Sequence, residues 1–387
     1  MTVQRYPYRA QAWLGEKLVA RSDTCLYDDR DGEPAALYFP EEDIDVARLE
    51  GHTSVLTMVS EPADEDDALR GHGTFRPDLI RVEVIDAVAA EDDRDTTVKA
   101  FPTWGDAAHL IDMLDLRQTG DLSWEGVART DGRRPVVEGS QMLGQTIVAA
   151  MRHAPGRRVV SAHMLFLRGA DAGRRLDFEL AELSAGRTFT GVSVQVGQGG
   201  RCCAAGTLLL DTMSRPLVRH AADAPDVPGP YDCPPYDMGV TGRDLRVVDD
   251  AYTNDSGAPL GPPLIDCWVR FRQVPADPAI HAGLLAQFTG HVPIAAALRP
   301  HDGLGQDQAH RTLSMGINAI NLSLHSEVRA DRWMLYRHLS TFAGDGMTHA
   351  ECRVHDEEGQ LLASFSVEAM VRPFGNGDRS RDERTAL

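Results

Sequence analysis

The chain has 387 residues, 42% hydrophobic and 25% charged, an ordinary balance for a soluble globular protein long enough for two or three domains with real cores. Its formal net charge of −19 argues against a nucleic-acid partner, because phosphate neutralisation needs a basic face. A local arginine cluster could still meet a polyanionic ligand within an acidic chain. The six cysteines (Cys25, Cys202, Cys203, Cys233, Cys267, Cys352) contain no Cys-x-x-Cys pair, which fits reduced, mostly buried thiols in a cytosolic protein. The polar start from Thr2 to Arg9 is no signal peptide, and no apolar run reaches the ~20 residues that span a bilayer. A cytoplasmic protein with no membrane partner is therefore expected.

In chain order, the first block carries short β-like runs, Leu18–Ala20, Ala36–Phe39 and Ile80–Ile85, separated by acidic, Gly- and Pro-marked turns. Glu61–Asp67 reads as a solvated acidic loop. An apolar helix follows, in which Leu143, Ile147, Ala150 and Met151 fall at i, i+4, i+7 and i+8 and Ala154-Pro155-Gly156 marks the stop. Four strand-like runs come next: Val159–Leu167, Leu176–Leu183, Phe189–Val196 and Cys202–Leu210. Gly197–Gly200 reads as a hairpin turn, since it lacks the Gly-Lys-Ser/Thr ending of a phosphate-binding loop. Prolines 225, 228, 230, 234 and 235 mark an extended linker. The pattern then repeats. Ile280, Leu284, Leu285 and Phe288 make a second helical stripe limited by Pro293, and strand-like runs follow at Ile317–Leu324, Trp333–Ser340, Thr348–His355 and Leu361–Val371. A helix followed by an antiparallel meander, given twice, predicts an α+β fold. A long apolar helix needs a curved sheet wrapped around it, which is the geometry of a hotdog unit. The expected layout is a small β-rich accessory domain over 1–112, a first hotdog over 113–222, a Pro-rich linker over 223–240, a second hotdog over 241–374 and a disordered tail over 375–387.

Several runs resemble one known family. Val137-Glu138-Gly139-Ser140-Gln141 and Ser161-Ala162-His163-Met164-Leu165-Phe166-Leu167-Arg168 resemble the Gly-Gly-Gln helix start and the His-x-x-Phe-Leu-Arg-Pro strand end of TesB-like acyl-CoA thioesterases II. Gly186-Arg187-Thr188-Phe189 is similar to their Gly-Arg-Ser-Phe turn. Ala297-Leu298-Arg299-Pro300-His301, then His325 with Trp333-Met334-Leu335-Tyr336, and Gly359–Ser364 with Glu368 to Arg372 resemble the second half. The resemblance covers about residues 113–374 and implies a double hotdog acting on acyl thioesters. A weaker resemblance, in Leu14–Ser22 and Leu37–Asp43, is to a small bacterial β-rich domain of unestablished function, without its usual Cys-Pro-x-Lys-Gly segment.

The resemblance also implies a catalytic set that this chain lacks. The family positions a water and stabilises an oxyanion with an Asp from the second helix, a hydroxyl residue from the next strand and a Gln near the last strand. The matching positions here are Gly290, Ile317 and Val367, with His291, Asn318 and Glu368 beside them. Replacement groups are sought nearby, each with a plainer structural reading. His291 could act as a base near neutral pH, or be a surface residue at a helix end. Asn318 and Asn321 could donate to a carbonyl or only satisfy backbone groups. Glu138 could serve as acid or base, or merely complement a helix N-terminus. Gln141 and Ser140 lie at the same helix start, where free N–H groups could bind a thioester oxygen. His163 and His325 match family positions but could simply be packed strand residues. Arg187, Arg157 and Arg158 could meet CoA phosphates, or be ordinary exposed arginines. His349, Glu351, Arg353 and His355 alternate as a solvated strand face rather than a metal site. The catalytic candidates are thus His291, Asn318, Glu138 and Gln141, with Arg187, Arg157 and Arg158 for CoA.

No nucleophile elbow, His-Glu-x-x-His, dinucleotide fingerprint or Ca2+ loop is present. The expected function is thioesterase-like hydrolysis of acyl-CoA or a carrier-bound acyl group with a non-standard catalytic set. It needs no cofactor beyond the CoA of the substrate and no metal. Alternatives are a hotdog enzyme of specialised metabolism with changed chemistry (dehydratase, hydratase or acyltransferase) and a non-catalytic acyl-CoA binding protein. A monomer and a homo-oligomer are both compatible with paired hotdogs in one chain.

Overall fold

The structure is a computed structural model that describes residues 3–6, 8–28, 36–49, 51–60, 68–87, 96–101, 105–129, 136–252 and 255–374. The expected acidic loop at 61–67 and tail at 375–387 lie outside the described residues. The chain divides into two compact units, one of Met1–Asp106 with Asp237–Thr241 and one of Ala107–Tyr236 with Gly242–Leu387.

The first unit is mainly β. Its strands are β1 (Gln4–Arg5), β2 (Arg9–Leu14), β3 (Lys17–Ser22), β4 (Leu26–Asp28), β5 (Ala36–Pro40), β6 (Leu56–Met58), β7 (His72–Phe75), β8 (Arg81–Ala87) and β9 (Thr96–Phe101). They form two antiparallel sheets, ordered β1-β4-β5-β7-β6 and β3-β2-β8-β9. Tyr6, Tyr27 and Phe101 meet edge-on or tilted, with ring centroids 5.7 to 6.1 Å apart, the usual aromatic geometry of a small core. Val240, from the later segment of this unit, packs on Gly105: a Cβ at Gly105 would stand 2.8 Å from Val240 Cγ1.

The second unit begins with α1 (Ala107–Leu114), β10 (Arg117–Gln118) and β11 (Ser123–Gly126), then α2 (Gly139–His153) and β12 (Arg158–Phe166), β13 (Leu176–Ala185), β14 (Phe189–Gln198) and β15 (Arg201–Asp211). The order is then given again: β16 (Arg243–Val247), β17 (Leu264–Phe271), α3 (Pro278–Phe288), a short α4 (Pro293–Leu298), and β18 (Leu313–Leu324), β19 (Met334–Gly344), β20 (Met347–Asp356) and β21 (Leu361–Pro373). All twelve strands join one sheet, ordered β10-β11-β13-β14-β15-β12-β18-β21-β20-β19-β17-β16. Its two halves read identically from the centre outward, each starting with the strand that follows its helix. They join where β12 runs antiparallel to β18, with Ser161 opposite Ser323 and His163 opposite Asn321. This is a double hotdog. The hairpins β10–β11 and β16–β17, which precede the helices and close the two ends of the sheet, were not among the expected strands.

Both central helices are buried around nearly their whole circumference, as wrapping by a curved sheet requires. They meet at glycines. A Cβ on Gly144 would lie 2.6 Å from the Gly283 carbonyl oxygen, and one on Gly283 would lie 3.2 Å from that of Gly144. The α3 N-terminus is capped by Asp277, whose side chain accepts from the Ala279 N–H, and Pro278 occupies the first turn.

Two expectations need correction. Residues 227–235 are not a free linker: Val227 and Cys233 pack with Val248, Trp268, Trp333 and Leu335, and the Trp268 indole donates to the Pro228 carbonyl. On the β20 face expected to be solvated, His355 is fully buried and within 3.4 Å of the Ala222 carbonyl. A bulge between Val354 and His355 breaks the alternation and turns that imidazole inward. All six cysteines are free thiols, five buried and Cys202 exposed. No helix among the described residues is long and apolar enough to cross a membrane.

Candidate active site

Glu138 is the residue before α2, and its backbone is extended (φ −66°, ψ 137°). Its carboxylate does not cap the helix. It reaches instead to the turn between α3 and α4, where Glu138 Oε2 lies 3.2 Å from His291 Nε2. The histidine side chain is 7% exposed and the carboxylate 47%, so the acid is the solvent-facing member of the pair. The two residues come from opposite halves of the repeat.

Packing holds the imidazole in place. The Phe288 ring, at the end of α3, stacks on it at 4.9 Å and 11°. The guanidinium of Arg243, from β16, lies 4.9 Å from the same Phe288 ring and donates to Gln287 Oε1 at 3.2 Å. Burial pulls the Arg243 pKa down to about 10, opposed by the Glu138 carboxylate, so Arg243 remains a cation at neutral pH. A run of rings continues inward, Phe288 meeting Tyr336 edge-on at 5.0 Å and Tyr336 stacking on His338 at 5.9 Å. Tyr336 anchors to α3 through its hydroxyl, which donates to the Leu285 carbonyl.

Gly290 and Ile317, the positions matched to the family's Asp and hydroxyl residue, are neighbours. A Cβ on Gly290 would stand 2.8 Å from Ile317 Cδ1 and 2.7 Å from Ser140 Oγ. The space an aspartate side chain would need is thus filled by an apolar branch and a serine hydroxyl.

The remaining candidates lie elsewhere. Gln141 is 2% exposed and donates its Nε2 to the Val127 carbonyl, the same carbonyl that Gln145 uses, so its amide ties α2 to the segment after β11. Asn318 is the extra residue of a bulge, between Ile317 opposite Ala369 and Ala319 opposite Glu368. Its Oδ1 is buried with no hydrogen-bond partner among the described residues. Arg157 and Arg158 follow the far end of α2, whose 15 residues span ~22 Å, away from Glu138. Arg157 donates to the carbonyls of Thr188, Gly186 and Arg187, and Arg158 to Asp211 and the His325 carbonyl. Arg187 is exposed at the tip of that hairpin. His163 accompanies Asn321, 3.1 Å away, and His325 lies 3.0 Å from Ser364 Oγ.

Three site residues escaped the sequence. Arg243 lies in the polar run Arg243-Asp244-Leu245-Arg246, where nothing in the sequence signals a strand or burial. His338 lies in an ordinary alternating run. Ser140 was noted for its N–H and not for its hydroxyl, although Ser in place of the family's second Gly was a visible departure. A shallow cleft lined by Leu260, Ala295, Leu298, Arg299, His301 and Leu304 among others includes neither Glu138 nor His291 in its lining. Among the described residues, no group of three or more His, Cys, Asp or Glu side chains could hold a metal ion.

Fold and site together define a double hotdog with a histidine–carboxylate pair at the junction of its halves. The N-terminal and C-terminal domain models of acyl-CoA thioesterase match residues 130–210 and 220–371, together more than half of the chain. The protein belongs to the TesB-like acyl-CoA thioesterase II family of thioester hydrolases. It is 25% identical over 284 residues to acyl-CoA thioesterase 2 of Haemophilus influenzae, an alignment covering 68% of this chain and 97% of that one. It is also 25% identical over 259 residues to human acyl-coenzyme A thioesterase 8, covering 60% and 80%. An acyl-CoA thioesterase II structure from Mycobacterium marinum superposes with a TM-score of 0.59 at 25% identity, covering 69% of this chain and 99% of that one.

Proposed function

We propose that this protein hydrolyses an acyl thioester, acyl-CoA or a carrier-bound acyl group, with Glu138 and His291 as its water-activating pair. The observation that carries the reading is the 3.2 Å contact between them, made where the family's aspartate position has become glycine. The imidazole and the carboxylate are close enough for an ion-pair contact, and in this reading His291 orients Glu138 through it. The more exposed carboxylate is the general base. Water attacks the thioester carbonyl carbon as Glu138 takes its proton; the tetrahedral intermediate then collapses, the C–S bond breaks, and the proton passes to the leaving thiolate. The products are the carboxylic acid and the free thiol. Positioned general bases contribute roughly 10²–10⁴ in rate.

A second reading is favoured by the same pair. A histidine and a carboxylate that replace a hydrolytic set also suit proton removal and return on the acyl chain, as in hydration or dehydration. The experiment monitors free thiol and the mass of the acyl product over a panel of acyl-CoAs. Hydrolysis predicts thiol release by the wild type, with a loss of about 10²-fold or more in Glu138→Gln and about ten- to a hundredfold in His291→Ala, in the range of such bases. A mass shift of 18 Da without thiol release favours the second reading (the mass of one water). Neither signal leaves a binding protein, and unchanged turnover in both variants removes the pair from the mechanism.

A further inference from the structure

Hydrolysis needs a hydrogen-bond donor where the carbonyl oxygen becomes an oxyanion, and the usual polar groups of the family are missing around Gly290 and Ile317. We propose that Ser140 supplies that donor, its Oγ–H bonding the thioester carbonyl oxygen of the substrate. This inference rests on the proposed hydrolytic reading and adds a residue to its site.

Ser140 lies in the first turn of α2, two residues after Glu138, and is 1% exposed. Its Oγ is buried and has no hydrogen-bond partner among the described residues. Leaving a buried hydroxyl unsatisfied lowers stability, so a serine here is unfavourable in the free protein unless a ligand completes it. The hydroxyl points at position 290, where a Cβ would come within 2.7 Å of it. A side chain at 290 and a hydroxyl at 140 therefore compete for one space. In this chain the glycine is at 290 and the oxygen is at 140, so the polar group lies on the α2 side of this contact rather than the α3 side. His291 follows Gly290 directly and Glu138 precedes Ser140 by two residues, so the hydroxyl and the Glu138–His291 pair come from the same two segments. The α2 N-terminus, which no side chain caps, adds the positive end of a 15-residue helix beside Ser140.

In the attack step the carbonyl oxygen gains negative charge and accepts the Ser140 O–H, while the water proton goes to Glu138; Ser140 keeps its own proton throughout. Its hydrogen bond strengthens as charge develops, so its removal should slow turnover rather than weaken substrate binding. The test is Ser140→Ala in the full chain, with kcat, KM and the thermal midpoint measured beside Glu138→Gln on the acyl-CoAs the wild type hydrolyses. The expected result is a kcat lowered about 10²-fold with KM changed less than about threefold, and a midpoint unchanged or raised because an unsatisfied hydroxyl has gone. A kcat within about twofold of wild type overturns the role of Ser140, as does a lowered midpoint with a proportionate loss of folded protein. If Glu138→Gln keeps full activity while Ser140→Ala loses it, the base assignment fails and the donor stands. If the wild type releases no thiol from any acyl-CoA, both fall.

Discussion

At the scale of single residues, the interior of the second hotdog half is unusual in the titratable groups it holds. His338 is fully buried, and burial holds its pKa down to about 3. Its Nδ1 lies 3.3 Å from the Ile265 carbonyl, an acceptor only, so Nδ1 carries the proton; with its pKa held low, the neutral ring then has its lone pair on Nε2. The sign of the pH effect follows. The folded pKa is below the unfolded one of 6.5, so the unfolded chain binds the extra proton in the interval between them. The contribution of His338 is complete above about pH 6.5 and is lost as pH falls toward about 3. Denaturant unfolding followed across that window should show stability falling with acid, and His338→Phe should flatten the slope; an unchanged slope would refute the assignment. The sequence singles out Glu138 and His291 by residue type and by the family positions beside them. Their contact was invisible, because it is made across two copies of a repeat. Type alone also suggested Gln141, Arg157 and Arg158, whose polar ends are used to hold backbone carbonyls and, for Arg158, Asp211.

At the scale of elements, the two central helices were legible because their apolar periodicity and stop signals agree. The leading hairpins were not. β10 has only two residues, and β16 reads Arg-Asp-Leu-Arg-Val yet is buried at every position. Its polar groups have partners: Asp244 pairs with Arg270 at 2.9 Å and also with Arg272, Arg243 donates to Gln287 Oε1 and Arg246 to the Cys233 carbonyl. The helix crossing supports a sharper prediction. Gly144→Ala would gain up to about 1 kcal/mol of helix propensity. Its methyl would meet the Gly283 carbonyl, a backbone atom that no rotamer change can move, and overpacking of this kind costs about 1–3 kcal/mol. The clash should dominate, giving a lower midpoint in urea with little change in m. A variant as stable as wild type would mean the helices separate freely.

At the scale of the whole molecule, duplication was the most legible feature, since one helix-and-meander pattern occurs twice. The pairing of β12 with β18 was not, because nothing local distinguishes the strand that will sit at the centre from those that will not. Nor did the prolines before residue 236 reveal that Asp237–Thr241 clusters with the N-terminal unit. Val240 and Thr241 are buried in the intact chain. A chain beginning at residue 107 should therefore show faster amide hydrogen exchange over 237–241 than the full-length protein. Equal exchange would mean that the segment is ordered without residues 1–106. The consequence reaches into how such a protein can be inherited. A domain attached at one point can be gained by a single fusion or dropped by a single truncation. Here the part of the gene that encodes the double hotdog carries a short stretch that clusters with the N-terminal unit, so losing that unit would require compensating change between the two hotdog repeats. The two parts are expected to descend together, as one evolutionary unit rather than as interchangeable modules.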